Sequence, residues 1–296
     1  MKKQKYLIGV SGGADSMFLL SKYKHKNIVV AYVNYNQRLD AHLDQELVEK
    51  YCKENNIPLE VLVLQKNDYE HGNFQTWARK QRYEFFKKIY QKNRCDVLLL
   101  AHHKDDFLES VLMQQNRNKN IFYYGIKKTN FVFGMKTKRP LLHRYWKNQI
   151  LKKCKKNNIP YRDDYTNFET NYTRNKYRQK INLFSRIKKE ALFYLYLFKN
   201  IKLISNERKA NIEFQIWEES LFEQEILKSL FFQKKLIYKF LWKFAHEENL
   251  NLTDKILTNI QEFILSKNRT SKYKITNNLF LIKKQGKLSL SKITPN

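Results

Sequence analysis

Tyr6-Leu7-Ile8-Gly9-Val10-Ser11-Gly12-Gly13-Ala14-Asp15-Ser16-Met17-Phe18-Leu19-Leu20 reads as a strand, a tight loop and a helix. Leu7, Ile8 and Val10 form a short apolar run suited to a buried parallel strand. Gly12 and Gly13 carry no Cβ, so the backbone there can approach a ligand closely. Met17 to Leu20 begin an apolar helix. A helix N-terminus after such a loop offers free N–H groups and the positive end of a dipole, which suits phosphate.

No Gly-Lys-Ser/Thr follows, so this is not the Walker-type loop and no lysine is placed locally on a β/γ-phosphate. Asp15 stands in the loop instead. A carboxylate beside a polyphosphate is repulsive unless a cation lies between them, which implies Mg²⁺ near Asp15. Ser-Gly-Gly-x-Asp-Ser resembles the PP-loop of the N-type ATP pyrophosphatases, which cut ATP between the α- and β-phosphates and adenylate a substrate. The competing reading is an ordinary glycine-rich βα turn. Six residues do not separate the two.

Working outward, strands and helices alternate through the first half, the pattern of a doubly wound, mostly parallel α/β sheet, here expected to have five strands. Ile28 to Asn34, Leu59 to Leu64 and Val97 to Ala101 read as further strands. Asp40 to Asn55, Phe74 to Tyr90 and about Asp106 to Gln115 read as helices. Ligands bind such sheets at the C-terminal strand ends. Ser11 to Ser16, Asn34 to Arg38 and His102 to Asp106 all fall there. Later, Phe131 to Met135 reads as a short strand, and Trp146 to Asn157 as a basic helix. Asp163-Asp164 and Arg174 to Arg178 read as a polar segment. The chain is then helical from about Ile181, with a break near Lys209. Thr253-Asp254 can cap a helix to about Leu265, and Asn277-Asn278 signals a terminal hairpin. Residues 1–210 are expected to form the α/β domain, and 211–296 a smaller, basic, mainly helical one.

The 296 residues, 42% of them hydrophobic and 15% aromatic, suffice for two cores. No apolar run reaches membrane-span length, and no signal-peptide pattern opens the chain, so a cytoplasmic protein with no membrane partner is expected. Cys52, Cys95 and Cys154 are odd in number and scattered, which fits reduced thiols. With 57 basic and 28 acidic residues the net charge is +29. Such an excess favours a polyanionic partner. An AT-rich coding bias toward Lys, Asn, Ile, Phe and Tyr competes as a cause of part of it.

Ala101-His102-His103-Lys104-Asp105-Asp106-Phe107-Leu108-Glu109-Ser110 is the second informative stretch. A buried strand releases two histidines and two carboxylates at its end. Asp106 and Glu109, three apart, share a helix face and can bind Mg²⁺ or an ammonium. Helix capping competes as a role for Asp105 and Asp106. No Cys/His set accompanies the histidines to make a zinc site.

Ser-Gly-Gly-x-Asp-Ser, Ala-His-His-x-Asp-Asp-x-x-Glu-Ser, Gly-Met, Arg-Pro-Leu-Leu and Arg-Asn-x-x-Arg, in that order, resemble the tRNA(Ile)-lysidine synthetase family over roughly the first 180 residues. Tyr32-Val33-Asn34-Tyr35-x-x-Arg38 and Ala78-Arg79-x-x-Arg82-Tyr83 resemble two further segments of it. The resemblance implies ATP-dependent adenylation at position 2 of the wobble cytidine of tRNA(Ile) with a CAU anticodon. Attack by the ε-amine of L-lysine then forms lysidine and releases AMP. It implies that Ser11, Gly12, Gly13, Ala14, Asp15 and Ser16 hold the ATP phosphates, with Asp15 near Mg²⁺. Backbone near Val33 would meet adenine. His102 and His103 would face the α-phosphate, and Asp106 and Glu109 would hold the lysine ammonium groups. Arg79, Arg82, Arg174 and Arg178 would contact phosphate or tRNA.

The chain departs from the family pattern in places. Tyr32 and Tyr35 stand where histidines are usual, and Gln75 replaces Glu. Phe107 replaces Gln, and Asn118 follows Arg117 where Gly is common. The basic C-terminal part, with Trp217, Trp242 and many lysines, is a candidate for gripping the tRNA arm; a plain helical packing domain competes, and Trp242, amid Leu241 and Phe244, reads rather as core. A cytidine thiolase and a catalytically dead RNA-binding PP-loop protein are the alternatives. Scattered cysteines speak against the first, and the retained Asp15, Asp106 and Glu109 against the second. The oligomeric state is open, with a homodimer one candidate.

Overall fold

In the computed structural model the described residues are 4–37, 40–69, 71–116, 121, 123–162, 173–245, 250 and 252–292, the side chains of 66 and 173–175 excepted. Arg38, Arg117, Asn118, Asp163 and Asp164 lie outside them, as do the side chains of Arg174 and Asn175.

The chain divides into two compact units. One is made of residues 1–113 and 125–196, the other of 114–124 and 197–296. In the first unit the elements run β1 (Tyr6–Val10), α1 (Ala14–Tyr23), β2 (Ile28–Asn34), α2 (Ala41–Glu54), β3 (Leu59–Val63), α3 (Phe74–Lys92), β4 (Val97–Leu99), α4 (Lys104–Gln115), β5 (Thr129–Val132), β6 (Met135–Lys138), α5 (Lys147–Lys156) and α6 (Thr173–Asn182). The sheet has six strands in the order β3-β2-β1-β4-β6-β5, parallel except for β5 at the edge.

That is one strand more than expected, and Phe131 to Met135 is not a strand. Phe133 and Gly134 both take positive φ, 50° and 78°, and turn a hairpin between β5 and β6. Such a turn requires φ > 0 at both central residues, which glycine supplies freely and Phe133 does not.

The central strands are apolar throughout because both faces are covered. Side chains alternate across the sheet. Ile8, Val10, Val30 and Leu99 pack with Met17, Val48, Ile150 and Cys154 of α1, α2 and α5. Leu7, Val29, Ala31 and Leu98 pack with Tyr83, Phe86 and Ile89 of α3. Gly9 lets α3 come close, since a Cβ there would lie 2.6 Å from Phe86. β1 has β2 on one side and β4 on the other. Strand order reverses there, and in such sheets ligands bind at the carboxyl ends of the strands beside that point.

The second unit comprises the rest of α7 (Arg186–Glu219), with α8 (Gln224–Ser229), α9 (Gln233–Ala245), α10 (Asp254–Leu265), β7 (Ser271–Lys274), β8 (Leu279–Lys284) and β9 (Lys287–Lys292). The break expected near Lys209 is absent, and α7 runs on to Glu219. Thr253 caps α10 as expected, accepting from Ile256 N–H. The expected hairpin forms between β7 and β8, and β9 extends it to three strands. The core reading of Trp242 is overturned, and Trp217 is the tryptophan that the core takes in. Trp217 is fully buried among Phe214, Phe222 and Phe240, while Trp242 is 61% exposed. Leu236, Ile237, Phe240 and Leu241 make the buried face of α9. One residue further the helix has turned about 100° and points Trp242 outward. Among the described residues no helix is long and apolar enough to cross a membrane.

Lys283 is a buried cation on the inner face of β8. Its ammonium donates to the carbonyls of Phe263, Ile264 and Ser266 at 3.0, 3.1 and 3.2 Å, and to Ser266 Oγ at 2.9 Å. It thereby helps to satisfy the carbonyls at the end of α10, where Phe263 O also accepts from Ser266 N–H at 3.3 Å. Lys283→Met removes these four hydrogen bonds from a buried helix end, at a cost of about 2 kcal/mol. Urea unfolding followed by circular dichroism should show a lower midpoint. An unchanged midpoint would contradict the capping role.

Candidate active site

Gly12 takes φ +81° and packs against Asp44, whose Cβ would be 3.2 Å from an added methyl. An L side chain there is both strained and crowded. A Cβ on Gly13, the residue before α1, would meet only Ser11 Oγ, at 3.7 Å. Ser16 Oγ ties the loop together, donating to Gly13 O at 2.9 Å and accepting from Ser11 N–H at 3.1 Å. Ala14 N–H and Asp15 N–H stand in the first turn of α1, where no carbonyl within the helix can pair them. Val33 lies next to the end of β2, its side chain in the core.

Asp15 and His103 join the loop to the end of β4. Asp15 Oδ2 is 3.6 Å from His103 Nε2 and accepts from Lys147 Nζ at 2.8 Å. His103 Nε2 is also 3.4 Å from Asp106 Oδ2, and Nδ1 is 3.3 Å from Asp105 Oδ2. Burial alone would drive the imidazole neutral. The charges of Asp106, Asp105 and Asp15 outweigh it and raise the pKa to about 10. Asp105 is held down to about 2, against its burial, by His103, the Lys147 N–H and Lys189. Asp15 is also lowered against its burial, by His103 and Lys147. At neutral pH the cluster is an imidazolium among carboxylates.

The structure thus brings Asp15, His103 and Asp106 together and seats His102, half-buried, beside them. Asp106 also caps α4, accepting from His103 N–H at 2.8 Å. Glu109 sits elsewhere in the network. It is 1% exposed and accepts from Arg178 Nε at 2.9 Å. Arg178, expected on phosphate or RNA, lies against the carboxylate expected to hold lysine. Arg79 and Arg82 stand together over Tyr83 on α3, at 4.6 and 5.7 Å from the ring centroid.

Three contributors were not singled out from sequence. Lys147, first residue of α5, supplies a lysine to the loop from 132 positions away. Asp105, which sequence could equally assign to capping, accepts from Lys147 N–H at 2.8 Å and from Lys189 Nζ at 3.1 Å. Lys104 is enclosed by the rings of Trp146, Phe193 and Tyr194 and pairs with Glu190 at 3.0 Å. No local spacing marks Lys147 or Lys189, because only the tertiary fold brings them to the loop.

The departures have local explanations where they are described. Phe107 is fully buried against Phe193, and Gly125 at φ +73° makes room for its ring. Tyr35 donates its hydroxyl to Ala78 O at 3.0 Å. Tyr32 is buried, and Gln75 is exposed. Among the described residues no cluster of three His, Cys, Asp or Glu side chains could hold a metal by itself. Asp15 Oδ1 is nonetheless buried without a hydrogen-bond partner, which leaves one carboxylate oxygen for a cation that has other ligands.

A family model described as a PP-loop domain matches residues 1–183. The chain is 44% identical over 279 residues to the tRNA(Ile)-lysidine synthase of Mycoplasmopsis pulmonis (strain UAB CTIP), covering 94% of this chain and 96% of that one. It is 38% identical to those of Mesomycoplasma hyopneumoniae (strain 232), over 97% and 95% of the two chains, and of Mycoplasma pneumoniae (strain ATCC 29342 / M129 / Subtype 1), over 98% and 99%. The chain belongs to the tRNA(Ile)-lysidine synthase family of PP-loop proteins. The similarity to family members extends over the C-terminal part as well, beyond the 180 residues that carry the motifs. Among solved structures the chain resembles the U34-tRNA thiolase NcsA from Methanococcus maripaludis, with a TM-score of 0.57 at 17% identity over 69% of this chain and 74% of that one. That likeness concerns the fold alone.

The charge on His103 has a measurable consequence. Its folded pKa, about 10, lies above the ordinary 6.5, so its stabilisation is complete below pH 6.5 and is lost as pH rises through about 10. Between these limits stability should fall by on the order of 1 kcal/mol per pH unit in magnesium-free buffer. His103→Gln should remove that component of the slope in urea titrations from pH 6.5 to 10. Equal slopes for the two proteins would show that His103 is not charged.

Proposed function

We propose that the chain converts the wobble cytidine of an isoleucine tRNA with a CAU anticodon to lysidine, using ATP and L-lysine, in the cytoplasm. The observation that carries this is the contact of Asp15 with His103. It makes one site of the loop that suits ATP phosphates and the segment whose carboxylates suit an amine. The near full-length similarity to tRNA(Ile)-lysidine synthases supports the choice of substrates.

In the first step the cytidine O2 attacks the α-phosphorus of ATP. An O–P bond forms, the bond from Pα to the bridging oxygen breaks, and pyrophosphate leaves. Ser11, Gly12, Gly13, Ala14 and Ser16 hold the phosphates, with the N–H groups at the start of α1 aimed at them. Adenine meets the backbone near Val33. The His103 imidazolium and the Lys147 ammonium stabilise charge that builds on the phosphate, and buried positions make both effective. His102 flanks the same group. Mg²⁺ fits at Asp15 Oδ1, where it would neutralise phosphate charge.

In the second step the ε-amine of lysine attacks C2 of the ring and AMP leaves with its oxygen. The amine must shed a proton to become a nucleophile, and Asp106 or Glu109 accepts it. A lysine ammonium reaches Glu109 by taking the place of Arg178, which then serves phosphate or RNA with Arg174. Lysines of the C-terminal residues, with Trp242 exposed among them, grip the tRNA arm.

A thiolase reading is disfavoured by the cysteines. Cys52, Cys95 and Cys154 are all buried, and burial pushes the Cys52 thiol to about 12 and that of Cys154 to about 11. Sulfur relay needs accessible thiolates.

The test is incorporation of radiolabelled lysine into an isoleucine tRNA transcript with ATP and Mg²⁺. Asp15→Ala should abolish adenylation. Glu109→Ala should spare adenylation and lower lysine transfer by 10²-fold or more, the scale of a lost general base. No incorporation by folded, unaltered protein would sink the proposal, and equal loss of both steps would sink the role given to Glu109.

A further inference from the structure

A cleft of about 250 Å³ opens in the first unit beside Asp105. Lys152 of α5 and Arg186 and Lys189 of α7 line it, and Asp105 of α4 is the one acid among its lining residues. Both oxygens of that carboxylate are already engaged. Oδ2 accepts from Lys147 N–H at 2.8 Å, and Oδ1 from Lys189 Nζ at 3.1 Å. Lys152 and Arg186 make no hydrogen bond or close ion pair among the described residues. Arg186 has Glu190 within electrostatic reach, but Glu190 already accepts from Lys104 Nζ at 3.0 Å and from Trp146 Nε1 at 2.6 Å. The cleft therefore sets three cations against one carboxylate. A concave wall with an excess of one sign focuses its field and draws in the opposite charge.

The rest of the wall narrows the choice of anion. Asn182, the last residue of α6, and Phe184, in the turn before α7, bring an amide and an aromatic ring to the same cleft. The Asn182 side chain makes no hydrogen bond among the described residues. Lys188 Nζ stands 4.1 Å from the centroid of the Phe184 ring and adds a further cation nearby. Cations for a phosphodiester, a ring for a base face and an amide for a base edge together suit an unstacked nucleotide. Free lysine carries a net positive charge, so the excess in the cleft repels it. ATP has the loop around Asp15. Asp15 meets the Nε2 edge of His103 at 3.6 Å, whereas Asp105 meets the Nδ1 edge at 3.3 Å. The cleft thus adjoins the reacting cluster without belonging to the phosphate loop.

We infer that this cleft holds one nucleotide of the RNA next to the wobble cytidine, its phosphodiester against Lys152 and Arg186 and its base on Phe184. The inference rests on the lysidine reading for the identity of the RNA. A strand that presents one base at His103 continues past it, and Asp105 joins the two places directly. Phosphate contacts carry no sequence information, so Lys152 and Arg186 fix the register in which the wobble base is presented. Asn182 meets an edge of the neighbouring base.

The experiment measures binding of the full chain to an anticodon stem-loop of the isoleucine tRNA across a range of salt. Two further RNAs carry one neutral methylphosphonate linkage each, on either side of the wobble cytidine. Lys152→Ala and Arg186→Ala change exposed side chains and Phe184→Leu a half-buried one, and melting temperatures show that the variants are folded. Lys152→Ala and Arg186→Ala should each bind the unaltered RNA about tenfold more weakly and lower the slope of log affinity against log salt by about 1. Phe184→Leu should weaken binding about tenfold with the slope unchanged. On the RNA whose contacted linkage is neutral, Lys152→Ala and Arg186→Ala should lose nothing relative to the unaltered protein, because the charge they meet is gone. KM for ATP and for lysine should not change. Unchanged RNA affinity in the three variants overturns the inference and leaves lysidine formation standing. A raised KM for ATP or lysine with RNA affinity intact also overturns it and assigns the anion to that substrate. Full losses that persist on both methylphosphonate RNAs overturn it by moving the contact away from the wobble nucleotide. If the variants weaken RNA binding as expected but the unaltered protein joins no lysine to tRNA, the proposed function falls and the cleft stands as an RNA site.

Discussion

One imidazole holds the centre of the first unit together. His103 lies within 3.6 Å of Asp15, 3.4 Å of Asp106 and 3.3 Å of Asp105. Without a cation these carboxylates would repel one another where the sheet changes direction, and burial would magnify the repulsion. With it, the loop after β1 and the helix after β4 are tied to one point. Lys147 and Lys189 complete the balance from α5 and α7, through Asp15 and Asp105 respectively. The same balance leaves Asp15 Oδ1 open, which is where a cation accompanying ATP can enter.

Much of this was legible in the sequence because it is local. The apolar runs of β1, β2 and β4, the glycine loop and the capping residues of α10 are short-range patterns, and each forms where it was read. The alternation of strands and helices gave the parallel sheet, and the order of the short motifs pointed to the family. What escaped was long-range or rested on one residue's phase. Lys147 reaches Asp15 only through the packing of α5 on α1. Glu109 and Arg178 looked like parts of two subsites and are partners. Phe133 reads as a strand residue by composition, yet it takes the turn because β5 and β6 must pair across it. Trp217 and Trp242 differ by where a helix face ends, which composition does not reveal.

The net charge of +29 is not spread without structure. Some basic residues are internal fasteners. Lys104 sits in an aromatic enclosure with Glu190, and Lys283 closes the end of α10. Others, such as Arg79 and Arg82, stand together over the Tyr83 ring with no ion pair among the described residues. Coding bias explains an abundance of lysine. It does not explain arginines gathered over one tyrosine. A polyanionic substrate explains both the excess and its arrangement.

With no Walker lysine, the loop around Asp15 suits attack at the α-phosphorus and not the γ-phosphorus. The direct measurement is the identity of the nucleotide products when folded protein turns over ATP and the isoleucine tRNA in the presence of lysine. AMP and pyrophosphate should appear in equal amounts, one of each for every lysine joined to RNA. ADP and inorganic phosphate as the products would contradict it.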